Sequence, residues 1–304
     1  MKNSEFKDDI ENVEKILLSF PERCRINFYD NLNTLEIKFN QDSKDSILGN
    51  YNPLENIITL NDKSALCHEL FHVSFNNSNL YNKEIEKGYF IDNGISLKSK
   101  NGILGHALTE GFAEYLSRKC KKNKGRNFEF YFSNLLILIY GEEILEYALE
   151  NDPIGFISEE KFNNIVEYMY NLDQLEELLN NIIFITKSVE ILKIAVEKKD
   201  NNMINKYEEL ISLTKDGIPI VILNLFNNIV DEYNFCDKPK VSKDVFIYSK
   251  ITARRFTQLM HNTGELVMDM GTVLDGRQAV EEGLIDELGG LRDALGYLYK
   301  EIEK

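Results

Sequence analysis

Apolar residues recur at helical spacing through most of the chain and alternate only in short stretches near its amino end. Ile10, Val13, Ile16, Leu17 and Phe20 follow the 3.6-residue period, which predicts a first helix over roughly Ser4 to Phe20. Pro21 suits a first helical turn and predicts a second, short helix behind it. Leu35, Ile37 and Phe39 then alternate with Glu36 and Lys38, the two-residue period of a half-buried strand. Gly49-Asn50-Tyr51-Asn52-Pro53 reads as a turn, and Asn56 to Leu60 as a second strand. Asn61 and Asp62 can cap a helix from Lys63 to about Phe75. A polar loop, Asn76 to Lys87, precedes an expected third strand, Gly88 to Leu97, and a helix from about Ile103 to Lys121.

Beyond the basic loop Lys119 to Arg126 the period stays helical to about Tyr233, with breaks expected near Asp152-Pro153 and Gly217-Ile218-Pro219. Leu172, Leu175, Leu178 and Leu179 recur as core positions of that region. Asn234 to Asp244, with Pro239 among charges, is the expected linker. The pattern predicts an α+β, mostly helical protein. Residues 1–121 carry the short strands, 122–233 complete the same domain with helices, and 234–244 lead to a terminal stretch, 245–304.

Charge narrows the function classes. The 304 residues hold 35 Lys and Arg against 50 Asp and Glu, a formal charge of −15 spread along the chain. Phosphate backbones are bound by concentrated basic residues, so no nucleic-acid partner is expected. The longest apolar runs, Leu135 to Tyr140 and Ile218 to Leu223, fall well short of the roughly 18 residues needed to span a bilayer, so no membrane partner is expected either. Met1 to Phe20 carries Glu5, Asp8, Asp9, Glu11 and Glu14, unlike a secretory signal. Cys24, Cys67, Cys120 and Cys236 are scattered with no CxxC pair, as free thiols in a reducing compartment would be. A cytoplasmic protein is the expectation.

Two of only four histidines stand in His68-Glu69-Leu70-Phe71-His72. On a helix, residues i and i+4 lie about 40° apart around the axis and one turn apart along it, so both imidazoles can reach one ion. Glu69 can then reach a water on that ion without being a ligand. Leu66, Leu70, Phe71 and Val73 mark the helix as buried, and buried imidazoles need partners. The extended motif HExxHxxGxxH is excluded, because Phe75 and Ser78 stand at its glycine and third histidine. Another source of a third ligand is Leu108-Thr109-Glu110-Gly111-Phe112-Ala113-Glu114-Tyr115, where one of two carboxylates a turn apart can bind the ion and the other orient a histidine. Gly111, costing about 1 kcal/mol relative to Ala in a helix interior, reads as a device letting the two metal-bearing helices approach.

HELFH followed by TEGFAEY resembles the gluzincin metallopeptidases over roughly residues 30 to 121. The resemblance implies a zincin-like fold, one zinc per chain held by His68, His72 and Glu110, and Glu69 as general base and acid. It places Glu114 in the supporting position behind a ligand histidine. It also likens Asn56, Ile57, Ile58 and Thr59 to the edge strand along which peptide substrates of such enzymes lie. The implied activity is hydrolysis of a peptide or protein substrate by metal-activated water. Tyr89, Tyr115 and His106 are candidates for the donor that stabilises the oxyanion. His106, one turn before Glu110, is alternatively a supporting group or a competing ligand.

The terminal stretch is of another kind. Met270-Gly271-Thr272-Val273-Leu274-Asp275-Gly276-Arg277-Gln278-Ala279-Val280 and the following Gly283-Leu284-Ile285-Asp286 are similar to the end of ClpP-like serine peptidases, including translocation-enhancing relatives. No upstream glycine-rich serine nucleophile accompanies it, Gly271 stands where that family's triad aspartate falls, and His261 does not replace it. Serine chemistry is therefore not expected. A fragment of this size cannot bury a sufficient core of its own, so 245–304 should pack on the helices or on another chain, including in an oligomer. Two other readings follow: a ClpP-like assembly or adaptor subunit, and an inactive zincin fold that binds peptide or protein.

Overall fold

A computed structural model describes residues 6–40, 48–86, 88–120, 127–188, 193–195 and 198–247. The resemblance assigned to 245–304, with His261 and Gly271, lies from residue 248 onward outside the described residues.

The amino-terminal half builds two small sheets around one buried helix. Helix α1 (Lys7–Leu17) turns Val13 and Leu17 inward, and a 3-10 turn (Glu22–Arg25) behind Pro21 leads into α2 (Ile26–Leu32). Strands β1 (Glu36–Phe39), β2 (Gly49–Asn52) and β3 (Ile57–Leu60) form a sheet of order β1-β3-β2, with β1 parallel and β2 antiparallel to β3. The Asp62 carboxylate accepts the Ser64 N–H at 2.7 Å and starts the 3-10 turn (Lys63–Ala65) that feeds α3 (Leu66–Ser74). Every residue of α3 is buried. Four short strands then make an antiparallel meander, β4 (Glu84–Glu86), β5 (Tyr89–Ile91), β6 (Leu97–Ser99) and β7 (Gly102–Leu104).

The remainder is helical: α4 (His106–Cys120), α5 (Asn127–Tyr140), α6 (Leu145–Glu150), α7 (Pro153–Ser158), α8 (Ile165–Lys187) and α9 (Asn201–Phe235). Phe71 from α3, Phe75 directly after it, Phe112 from α4, Phe132 from α5 and Tyr168 from α8 share one continuous core. The protein is thus α+β and mostly helical. Among the described residues no helix is long and apolar enough to cross a membrane.

Three sequence expectations are corrected. Gly49 to Asn52 is strand β2 rather than a turn; the turn proper is Pro53 to Asn56, where the Asn52 side chain accepts the N–H groups of Leu54 and Glu55 and Asn56 adopts φ 54°. The strand expected over Gly88 to Leu97 is divided, because Gly94 at φ 63° turns the chain between β5 and β6 and a meander results. Gly217 and Pro219 do not break α9. A Cβ on Gly217 would stand 3.2 Å from Leu178 Cδ1, so the glycine serves close contact between α8 and α9. That packing outweighs the one backbone hydrogen bond a proline removes.

Segment 236–247 is seated on the helices. Lys240 N–H donates to Ile139 O at 2.9 Å, its ammonium lies 2.7 Å from Glu143, and buried Phe246 stacks on Tyr233 with ring centroids 4.2 Å apart.

Candidate metal centre

Helix α3 and helix α4 meet at three side chains. One turn of α3 sets the His68 and His72 rings 4.8 Å apart, and both direct Nε2 to the same point. Glu110 reaches that point from α4. His68 Nε2 lies 3.1 Å from Glu110 Oε2 and 3.1 Å from His72 Nε2, and His72 Nε2 lies 3.4 Å from Glu110 Oε1. Tetrahedral zinc with ligands at about 2.0–2.1 Å has ligand atoms about 3.3 Å apart. Two imidazole nitrogens and a carboxylate oxygen at these separations therefore fit a single small divalent cation. All three side chains are nearly buried.

The far nitrogen of each imidazole is engaged. Glu114 Oε2 stands 3.3 Å from His68 Nδ1, close enough for an ion pair although not aligned as a hydrogen bond. Arg118, packed with its guanidinium carbon 3.7 Å from the Phe130 ring centroid, donates from Nε to Glu114 at 2.8 Å. Burial alone would raise the Glu114 pKa, but His68 and Arg118 hold it below the usual carboxylate range. Burial likewise opposes a charged His68, yet Glu110 and Glu114 outweigh it and carry the imidazole up to about 10. His72 Nδ1 is 3.0 Å from Asn93 Oδ1, and Asn93 Nδ2 donates to His72 O at 2.9 Å. The loop bearing Asn93 is itself held, since Asn151 at the left-handed end of α6 donates to Asp92 O and Gly94 O.

Glu69 is buried beneath β2. A Cβ on Gly49 would lie 3.0 Å from Glu69 Oε1 and 3.0 Å from Ala65 Cβ, so any side chain at residue 49 would press on the carboxylate and on the turn that feeds α3. His106 begins α4, is 43% exposed, and holds Nε2 3.9 Å from Glu110 Oε1 and 3.9 Å from Glu176 Oε1 of α8.

The structure thus gathers His68, His72, Glu110 and Glu114, with Glu69 and His106 beside them. Other expectations are corrected. Asn56 to Thr59 does not offer an edge: β3 is the central strand, and the ladders of β1 and β2 occupy both its sides. The Asn56 side chain is bonded to Asn31 O and Thr34 Oγ1. Gly111 faces α5 rather than α3, for a Cβ there would stand 1.8 Å from Ser133 Oγ and 2.5 Å from Glu129 O. Tyr115 turns away and donates to Glu142 at 2.8 Å. Asn93, Asp173 and Glu176 were missed, and only the Asn93-Gly94 turn signal pointed to any of them.

A second group, Cys24 with Glu146 and Glu150, has metal-compatible spacing, but Arg23 already bridges the two carboxylates.

Compared with known proteins, the chain is 35% identical over 88 residues to the translocation-enhancing protein TepA of Halalkalibacterium halodurans, covering 28% of this chain and 34% of that protein. It thus spans about a third of that relative's length. The similarity agrees with the translocation-enhancing resemblance of the terminal stretch and says nothing of the metal-site motif. No protein-family model matches the chain. No solved structure matches it.

Proposed function

We propose that this protein is a zinc-dependent peptidase. The observation that supports it is the convergence of the His68, His72 and Glu110 donor atoms at zinc-ligand spacing, with the buried Glu69 carboxylate near enough to act electrostatically on His68. These three side chains would hold the ion. Held there, zinc would supply Lewis-acid polarisation of a carbonyl oxygen and make water a nucleophile near neutral pH. Glu69 takes the proton of the attacking water and passes it to the leaving amine. Burial on α3 holds Glu69 in place, and Gly49 leaves the space its carboxylate occupies. Glu114 and Asn93 fix the orientation of the two imidazoles.

Metal analysis of protein made in zinc-replete medium should find about one zinc per chain, and Glu69→Gln should keep that zinc while peptide cleavage falls by about 10²–10⁴-fold. Absence of stoichiometric metal, or undiminished cleavage by the Gln variant, overturns the reading.

The similarity to the TepA protein favours a second reading, a ClpP-like assembly or adaptor subunit without serine-protease activity. On that reading removal of residues 248–304 abolishes an oligomer, measured by light scattering. The peptidase reading requires no such loss.

A further inference from the structure

The three candidates for the oxyanion donor are not equivalent in the structure. Tyr115 is committed to Glu142, and Tyr89 lies exposed on β5 of the meander. His106 is the imidazole at the rim: the His68, Glu69, His72 and Glu110 side chains are nearly buried, whereas His106 is 43% exposed with Nε2 3.9 Å from Glu110 Oε1. It is also built in. Asp173 of α8 accepts the N–H groups on both sides of it, Gly105 N–H at 2.5 Å and Ala107 N–H at 2.8 Å. Gly105, at φ 83°, lets the chain turn into α4 there, and a Cβ on it would stand 2.3 Å from Met169 Cε of α8. Glu176, one turn beyond Asp173, faces the ring at 3.9 Å. Met169, Asp173 and Glu176 thus present one face of α8 to the start of α4.

We propose that His106 contacts the substrate, donating a hydrogen bond from Nε2 to the carbonyl oxygen that gains negative charge under attack, with Asp173 and Glu176 as its positioning residues. This rests on the zinc-centre reading. A half-exposed imidazole one turn ahead of a ligand carboxylate is placed to meet a substrate arriving from solvent beside an otherwise buried centre. Competing roles predict different losses. A ligand, or a residue orienting a ligand, costs roughly 10–100-fold or more in metal affinity when removed. A group that touches only the bound oxygen leaves metal affinity alone.

The test uses the full-length protein, with His106→Ala, His106→Gln and Glu176→Gln. Zinc affinity is measured first, by chelator competition. Acetohydroxamate, a small anion whose oxygens occupy the position of the attacked carbonyl, is then titrated into the zinc-loaded proteins by calorimetry. His106→Ala should retain zinc as the parent does and bind acetohydroxamate about tenfold more weakly, the loss of one hydrogen bond. His106→Gln should recover part of the affinity, and Glu176→Gln should lose part of it. Should cleavage be assayed, kcat falls by about 10²-fold with KM little changed. If the parent itself binds no zinc, the centre and this proposal both fail. If the parent binds zinc and His106→Ala loses it, His106 is a ligand and only the proposal fails. Unchanged acetohydroxamate affinity in a zinc-retaining His106→Ala also overturns it.

Discussion

At the scale of single residues, the centre depends on groups that hold groups. Asn93 grips His72 twice, accepting at Nδ1 and donating to the main-chain oxygen, so it fixes both the ring's tautomer and its turn of helix. Asn93→Ala should weaken zinc binding by roughly 10–100-fold while circular dichroism and melting temperature in chelator stay close to the parent's. An unchanged zinc affinity refutes that role. The sequence announces His68 and His72 because their i, i+4 spacing on a helix has a mechanical meaning that one dimension carries, whereas only the resemblance to the gluzincins prefers Glu110 over Glu114. Asn93 had no such signal. Its contact with His72 exists because Asn151, far along the chain, pins the loop from behind, and no local periodicity encodes such a tether. Gly49 was read as a turn residue for a related reason: a glycine needed for approach to Glu69 looks, in sequence, like one needed for a bend.

At the scale of elements, α4 is located by what presses on it from both sides. On the α5 side, Gly111→Ala gains about 1 kcal/mol of helix propensity but drives a methyl group against Ser133 Oγ and the Glu129 carbonyl. The hydroxyl can rotate away; the backbone oxygen cannot, so the substitution should destabilise the protein by a net amount on the order of 1–3 kcal/mol in urea unfolding. A neutral or stabilised variant means that α5 is free to withdraw. On the α8 side, burial raises the Asp173 pKa to about 6 despite its two backbone hydrogen bonds. A carboxyl with its folded pKa above the unfolded value near 3.8 stabilises most below that value, and the contribution is lost as pH rises through about 6. The stability advantage of the parent over Asp173→Asn should therefore shrink between pH 4 and pH 7, by an amount on the order of 2–3 kcal/mol. A gap that is flat or widens contradicts the shift. Helices with strong periodicity were legible from sequence. The meander and the unbroken α9 were not, because three-residue strands are too short to show a period, and a glycine and a proline in a helix take their conformation from neighbours, Leu178 among them.

At the scale of the molecule, the two ligand-bearing helices are separated in sequence by the whole meander, and each is packed against a different set of elements. Helix α3 lies among α1, α2 and β2, whereas α4 lies against α5 and α8 as well as α1 and α3. An ion shared by His68, His72 and Glu110 would consequently tie the sheet-bearing half to the helical half, and its binding energy would become folding energy for both. Ligand present at a thousandfold over its dissociation constant adds about 4 kcal/mol to stability. For a chain of this size that corresponds to a rise in melting temperature on the order of 10 °C between chelator and zinc-loaded protein. Removing Glu110, as Glu110→Ala, should abolish most of that rise, because the ion then bridges nothing and only the two histidines of α3 remain. Glu69→Gln should keep it, since Glu69 is beside the ligand set rather than in it. A zinc-induced shift surviving intact in Glu110→Ala would mean that the metal binds to α3 alone and that the two halves are joined by packing without it.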